Sequence, residues 1–189
     1  MEHPLSSFSH CPKCGSNLFS VHNEKSKQCD CCGFVYYFNP SAATVALIMN
    51  TQNELLVCRR AKDPAKGTLD LPGGFIDLNE TAEEGVAREV LEETGVKIEN
   101  SSYLFSLPNL YVYSGFTVHT LDLFFRCTIA DTDHLEANDD VAEAFFVPLN
   151  QIKTDDFGLS SIRKGLKRFC LTAATERTPQ QVKTSKTKG

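Results

Sequence analysis

Glu89, Glu92 and Glu93 stand in a segment, Thr81 to Thr94, that is rich in Ala, Glu, Val and Leu and stops at Gly95. At 100° per residue a helix here gathers the three carboxylates into an arc of roughly 100°, with Val86, Ala87, Val90 and Leu91 facing mostly the other way. Like charges at three- and four-residue spacing repel by about 0.2–0.5 kcal/mol per pair, and a divalent cation is the usual compensation. Oxygen donors with no His or Cys beside them suit Mg2+ or Mn2+ rather than Zn2+. A solvated acidic helix face is the plain alternative. A second constellation is soft: Cys11-Pro12-Lys13-Cys14-Gly15 and Cys29-Asp30-Cys31-Cys32-Gly33 are two C-x2-C-G knuckles separated by 14 residues. Each reads as a tight turn whose glycine lets backbone amides point at a thiolate pair, the pattern of a zinc ribbon with Cys11, Cys14, Cys29 and Cys32 as ligands. Cys31 is ambiguous, since it forms a C-x-C pair with Cys29; symmetry with the first knuckle favours Cys32. A four-cysteine site has no open position for water, so its zinc reads as structural. Cys58, Cys127 and Cys170 lie singly in apolar surroundings and read as core thiols.

The elements that must position these groups follow from pattern. Phe34 to Phe38 reads as the last strand of the ribbon, and the turn signal Asn39-Pro40 closes it. The expected organisation is therefore a ribbon over 1–38, a catalytic domain over 39–171 and a disordered basic tail over 172–189. Ala42 to Met49 and Glu54 to Arg60 read as strands joined by a turn at Asn50-Thr51-Gln52-Asn53, and Ala61 to Gly67 as a loop. Thr68 to Phe75 reads as a strand running into the turn Leu71-Pro72-Gly73-Gly74. Further strands are expected at Tyr103 to Phe105, Thr117 to Thr128 and Ala144 to Val147, the second alternating through Val118, Thr120, Asp122 and Phe124. Phe157 to Leu171 reads as an amphipathic helix with Leu159, Ile162, Leu166 and Phe169 on one side.

The segment from Gly74 carries a spacing of its own: five residues, Glu80, seven residues, then Arg88-Glu89-Val90-Leu91-Glu92-Glu93-Thr94-Gly95-Val96. It resembles the Nudix box, G-x5-E-x7-R-E-U-x-E-E-x-G-U with U aliphatic, at every defined position. The resemblance implies an α/β fold, an α/β/α sandwich with a mixed sheet, and a Mg2+- or Mn2+-dependent hydrolase of nucleoside diphosphates linked to another group. In that chemistry water attacks one phosphorus in line while metals neutralise the growing oxygen charge. Carried over by position, Glu89 and Glu93 are the principal metal ligands, Glu92 a further ligand or base, Arg88 the cation orienting the carboxylates, and the Gly73 carbonyl faces the metal. Glu80 supports the loop or a metal-bound water. Glu143 lies where the family's acid-before-aromatic strand motif puts an assisting carboxylate, with Asp139 and Asp140 as substitutes. Arg59 and Arg60, at a strand end, are candidates for phosphate contact or a plain surface pair.

A ribbon directly before this box is similar to the NADH pyrophosphatase branch of the family, in knuckle spacing and in Tyr36-Tyr37 four and five residues past the last ligand. That branch carries S-Q-P-W-P-F-P-x-S eleven residues after the box glycine; here the register gives Ser106-Leu107-Pro108-Asn109-Leu110-Tyr111-Val112-Tyr113-Ser114. Ser106, Pro108 and Ser114 agree and Tyr111 keeps an aromatic, while Gln, Trp and two prolines are missing. Tyr37, Tyr111 and Tyr113 are candidate walls for a planar base, or aromatics buried in a core or dimer interface. The resemblance implies AMP and a mononucleotide as products from NADH or NAD, with ADP-ribose or another sugar nucleotide as the alternative substrate, and a homodimer.

Composition narrows the partners. Residues 1–156 hold 11 Lys and Arg against 23 Asp and Glu, and residues 157–189 hold 8 against 1. An acidic body argues against a broad nucleic-acid surface; NAD-capped RNA ends stay open because the branch includes decapping activity. The longest nearly apolar run, Ala42 to Met49, is far short of the roughly 20 residues a bilayer-spanning helix needs. Met1 to His10 lacks a signal-peptide pattern, so with eight cysteines a reducing, cytoplasmic setting is expected. Two other classes compete with the hydrolase: a sensing or nucleic-acid-binding module of the same shape, which the intact set of box carboxylates speaks against, and an assembly role for the ribbon.

Overall fold

The computed structural model describes residues 2–176, and side chains through Leu171. The N-terminal sheet pairs β1 (Phe19–Asn23), β2 (Ser26–Cys29) and β3 (Val35–Tyr37) antiparallel. Its apolar cluster is small, Cys11, Phe19 and Cys29 with Phe34 against them, and Leu5 of the same N-terminal segment is also fully buried.

The rest is a layered α/β body. β4 (Ser41–Ile48) runs parallel to β8 (Phe116–Ile129), which pairs antiparallel with β7 (Ile98–Tyr113). β5 (Glu54–Arg60) lies between β6 (Leu69–Asp70) and β9 (Val141–Pro148), both antiparallel to it. An isolated antiparallel bridge, Met49 to Leu55, links the two sets at the turn between β4 and β5. Helix α1 (Ala82–Thr94) covers one side and α2 (Ser160–Glu176) the other.

Side-chain alternation divides the core between the helices. Val45, Leu47, Leu55, Val57 and Phe124 pack with Ile162, Leu166 and Phe169 of α2. Ala46, Ile48, Leu56, Phe125 and Cys127 pack with Val86 and Val90 of α1. Strands covered on both faces need apolar residues in continuous runs, which is why β4 reads Thr-Val-Ala-Leu-Ile. The sandwich and mixed sheet expected from the box are thus present.

Several boundaries differ from expectation: β7 starts at Ile98 rather than Tyr103, β9 at Val141 rather than Ala144, and β6 covers only Leu69–Asp70 of the expected Thr68 to Phe75. β7 extends through Ser106 to Tyr113, where Pro108 and Asn109 speak against a strand; it is the outer strand of its sheet, where proline is tolerated. α2 starts three residues later than expected and continues to Glu176, so residues 172–176, assigned above to a disordered tail, continue the helix. Ala173 and Ala174 favour that continuation. The remainder of the expected tail, 177–189, lies outside the described residues. No helix among the described residues is long and apolar enough to cross a membrane.

Candidate active site

Helix α1 fixes its carboxylates from both ends. Thr81 Oγ1 accepts from the Glu84 amide at 3.2 Å while the Glu84 carboxylate accepts from the Thr81 amide at 2.8 Å, a reciprocal N-terminal cap. Gly95 ends the helix at φ 68°, its N–H donating to the Leu91 carbonyl at 2.9 Å. Between them Arg88 acts as a hub. Its Nε and Nη2 donate to the two Glu80 oxygens at 2.8 and 2.9 Å, Nη1 donates to Glu89 at 2.9 Å and to Glu92 at 3.0 Å, and Nη2 also reaches the Phe75 carbonyl at 2.9 Å. This fork ties the preceding loop to the helix and holds the Glu80 carboxyl below its ordinary value.

The Leu-Pro-Gly-Gly turn lies against the same helix face because only hydrogens fit there. Gly73 has φ 141°, and a Cβ on it would sit 2.1 Å from the Thr44 carbonyl oxygen; one on Gly74 would sit 2.5 Å from Glu89 Oε2. The Gly73 amide donates to Glu93 Oε2 at 2.9 Å. Burial pushes the Glu93 carboxyl up to about 8, overcoming that amide, with the charges of Asp70 and Glu89 adding to the rise. Burial also raises Glu89, against the pull of Arg88.

Glu89, Glu93 and Gly73 open onto a cavity of about 310 Å³. Seven carboxylates line it, Asp70, Asp77, Asp122, Asp139 and Asp140 with Glu89 and Glu93, and Arg60 is the one cation among the described lining residues. Arg60 Nη1 donates to Asp70 at 2.6 Å and Nε to the Pro64 carbonyl at 2.6 Å. Such a surplus of acidic groups, with Asp70, Asp122 and most of Glu93 buried and Asp77, Asp139 and Asp140 at the rim exposed, suits a divalent cation. Glu89, Glu92 and Glu93 do not converge as one tight cluster, since Glu92 is half-exposed and turned to Arg88. A divalent metal does not require such a cluster, because Mg2+ is usually held by one or two carboxylates plus waters and phosphate oxygens. Glu89 and Glu93 therefore fit it.

The other candidates divide between the cavity lining and positions outside it. Glu143 lies opposite Arg59 across β9 and β5 and accepts from its Nε at 2.7 Å, so the register occupies both with each other. A register shift between Arg59 and Arg60 accompanies the change, and Arg60, with Asp139 and Asp140, takes the lining positions instead. In the segment Ser106–Ser114 the two-residue period of a strand separates the side chains. Tyr111 lines the cavity; Ser106 and Pro108 have the opposite parity, and Tyr113 and Ser114 lie exposed at the hairpin end. Tyr37 is 48% exposed on β3 and away from the lining. Asn109, Thr120, Asp122 and Asp70, none of them singled out as site residues from sequence, are buried in the lining. The available signal was Asp122 itself, an acid in step with Phe124 on an alternating strand.

In the ribbon the four expected thiols converge. Cys11 Sγ lies 3.8 Å from Cys32 Sγ and Cys14 Sγ 3.6 Å from Cys29 Sγ, and all four fall within 4.8 Å of one another. Four sulfurs about 2.3 Å from a tetrahedral zinc would stand about 3.8 Å apart, so the set fits that ion. Cys31 is exposed outside the group, which settles the choice between Cys31 and Cys32 geometrically. Backbone amides of Cys32 and Cys31 lower the Cys29 thiol to about 7.

This sandwich, with an Arg-braced acidic helix facing a glycine turn, defines a class of metal-assisted phosphoanhydride hydrolase. The NUDIX domain model matches residues 39–169, and the chain belongs to the Nudix family as a Nudix hydrolase. It is 32% identical over 157 residues to an ADP-ribose pyrophosphatase of Methanocaldococcus jannaschii, covering 81% of this chain and 89% of that one. It is 29% identical over 141 residues to the NAD-capped RNA hydrolase NudC of Vibrio parahaemolyticus, covering 75% of this chain and 50% of that protein. The chain thus spans about half the length of that relative. A crystal structure of a Nudix hydrolase from Nitrosomonas europaea superposes with a TM-score of 0.69 at 24% identity, covering 88% and 93% of the two chains, a likeness of fold.

Proposed function

We propose that the chain hydrolyses the diphosphate bond of an adenosine diphosphate derivative, the class to which NADH, NAD and ADP-ribose all belong. The observation that supports it is one cavity lined by two unlike sets: the carboxylates Glu89 and Glu93, and the polar side chains Asn109 and Asp122, which are buried, with Tyr111 half-buried. A diphosphate held against Glu89 and Glu93 leaves its nucleoside within the same cavity to meet the polar set. Mg2+ or Mn2+ held by Glu89 and Glu93 would neutralise diphosphate oxygens and make a bound water a better nucleophile. Arg88 keeps Glu89 in place, the Gly73 amide keeps Glu93 in place, and Arg60 faces the cavity as a cation for a phosphate oxygen. Zinc in the four-cysteine site is structural in this reading, and Glu92 acts through Arg88 rather than as a ligand.

Among the substrates ADP-ribose takes first place. The relative matched over most of both chains carries that name, and the segment Ser106–Ser114, which departs from the NADH pyrophosphatase pattern, offers the cavity Asn109 and Tyr111 only. NADH and NAD-capped RNA ends remain the second reading, favoured by the ribbon and by the NudC relatives. The test is product analysis after incubation with Mg2+ or Mn2+ and a panel of ADP-ribose, NADH, NAD, a NAD-capped oligonucleotide, diadenosine polyphosphates and nucleoside triphosphates. ADP-ribose should give AMP and ribose 5-phosphate with the highest kcat/KM. Glu93→Gln should abolish turnover with an unchanged circular dichroism spectrum, and activity retained in that variant refutes the site.

A further inference from the structure

In the cavity lining the sheet presents an arrangement that phosphate chemistry does not use. Register pairs Asn109 with Thr120 and Leu107 with Asp122 across β7 and β8, so Asn109, Thr120 and Asp122 share one face. Thr120 Oγ1 donates to Asp122 Oδ1 and Ser161 Oγ donates to Asp122 Oδ2, each at 2.5 Å. Asp122 is 4% exposed, and both of these partners are neutral hydroxyls. A carboxylate accepts about four hydrogen bonds, so each oxygen retains acceptor capacity. Asn109, also 4% exposed, has its side-chain oxygen occupied by the Ser160 hydroxyl at 3.1 Å. That leaves the Asn109 amide nitrogen without a partner among the described residues, on a side chain that lines the cavity. The nitrogen is open to the cavity, since Ser26 Oγ is the one buried side-chain nitrogen or oxygen without a partner among the described residues. An acceptor with spare capacity and a donor with no protein acceptor, both lining the cavity, form a pair that a ligand edge can complete.

We propose that Asp122 and Asn109 read the amino edge of an adenine ring: the carboxylate accepts from the 6-amino group, the Asn109 amide donates to the adjacent ring nitrogen, and Tyr111 forms a wall of the site. This rests on the adenosine diphosphate reading above and names the group that selects the base. A 6-oxo purine offers the reverse pattern, an oxygen toward Asp122 and an N–H toward the Asn109 amide, and is rejected because both buried groups face their own kind. The carboxamide of nicotinamide shares the adenine pattern, so the test separates the two.

Binding is measured by calorimetry in EDTA, without metal or hydrolysis, using adenosine 5′-monophosphate, inosine 5′-monophosphate and nicotinamide mononucleotide. The wild type should bind the adenosine nucleotide about tenfold or more tighter than the inosine nucleotide. The double swap Asp122→Asn with Asn109→Asp exchanges donor and acceptor at nearly constant volume, and should invert that order. A merely structural role for the pair would weaken both ligands alike. Should the swap fail to fold, Thr120→Val removes one hydroxyl that orients Asp122 and should narrow the ratio severalfold without changing nicotinamide mononucleotide binding. Equal binding of the two purine nucleotides by the wild type, or a ratio untouched by these substitutions, overturns the proposal. Tighter binding of nicotinamide mononucleotide than of the adenosine nucleotide overturns it too, since the edge would then serve the carboxamide. A base preference in a protein that hydrolyses no ADP derivative would count against the function while leaving this pair standing; ADP-ribose and its inosine analogue cleaved equally would do the reverse.

Discussion

Glu93 has its charge opposed by burial and by its neighbours, and this sets a sign for the response to pH. Its carboxyl ordinarily titrates near 4.5 and is pushed up to about 8 in the metal-free fold. Between those values the folded chain holds a proton that the unfolded chain has released, so metal-free stability falls as pH rises from about 4.5 to about 8. Glu89, Asp70 and Asp122 are raised as well and act in the same direction. A bound divalent cation reverses the preference by favouring the carboxylates. Thermal melts in EDTA should therefore decline from pH 5.5 to pH 8.5, and Mg2+ should raise Tm more at the higher pH. Glu93→Gln should flatten both responses; an unchanged slope in that variant refutes the assignment. Arg88 gives a second prediction at this scale. Lysine keeps the charge but cannot span Glu80, Glu89, Glu92 and the Phe75 carbonyl together, so Arg88→Lys should lower kcat by about tenfold or more with KM little changed, which steady-state kinetics would show. These groups were legible in the sequence because one helix and its preceding turn carry them at fixed spacing. Asn109 and Asp122 were not, because their meeting depends on strand register and on the loop that delivers α2.

Helix α2 meets the sheet through a glycine whose place is set by an aromatic ring. A Cβ on Gly165 would lie 2.3 Å from Phe124 Cε1, and Phe124 is fully buried and stacked on Phe105 at 4.9 Å. Alanine in a helix interior gains about 1 kcal/mol over glycine, but overpacking a closed core costs about 1–3 kcal/mol. Gly165→Ala should therefore lower stability by a net of up to about 2 kcal/mol, read as a reduced midpoint in urea at an unchanged slope. A stabilised variant would mean that the two layers can part at this point. Thr81→Ala removes the cap of the other helix and should cost about 1 kcal/mol. The sequence carried both helices and the strands β4 and β5 because their periodicity, caps and apolar runs are local. It did not carry the length of β7, whose proline and asparagines are tolerated only because that strand lies at the edge of its sheet. Nor did it carry the pairing of Glu143 with Arg59, since whether an acid at a strand edge meets substrate or a cross-strand arginine depends on a single register step.

At the scale of the whole molecule the ribbon and the Nudix body are held together by different means, and removal of one metal should separate them. The ribbon's apolar centre is Cys11, Phe19 and Cys29 with Phe34 beside them, too little burial to order some thirty residues unaided. Two of those three are themselves zinc-ligand candidates, so an ion held there and the core would be one structure. The body keeps its own two clusters around α1 and α2. Edge-on ring contacts join the parts, Phe8 and Phe38 against Phe116 at 5.7 and 5.6 Å and Phe38 against His119 at 5.4 Å. No described residue before Ala43 lines the cavity. Stripping zinc under reducing conditions and then restoring Mg2+ should therefore release amide hydrogens between Cys11 and Tyr37 to fast exchange, while protection in β4, β5 and β8 persists. Hydrolysis of ADP-ribose should stay within about twofold of the untreated enzyme, because burial and charge at the site belong to the body alone. Lost hydrolysis with an intact exchange pattern in the body would show instead that the ribbon reaches the substrate, and would return Tyr37 to the list of binding residues.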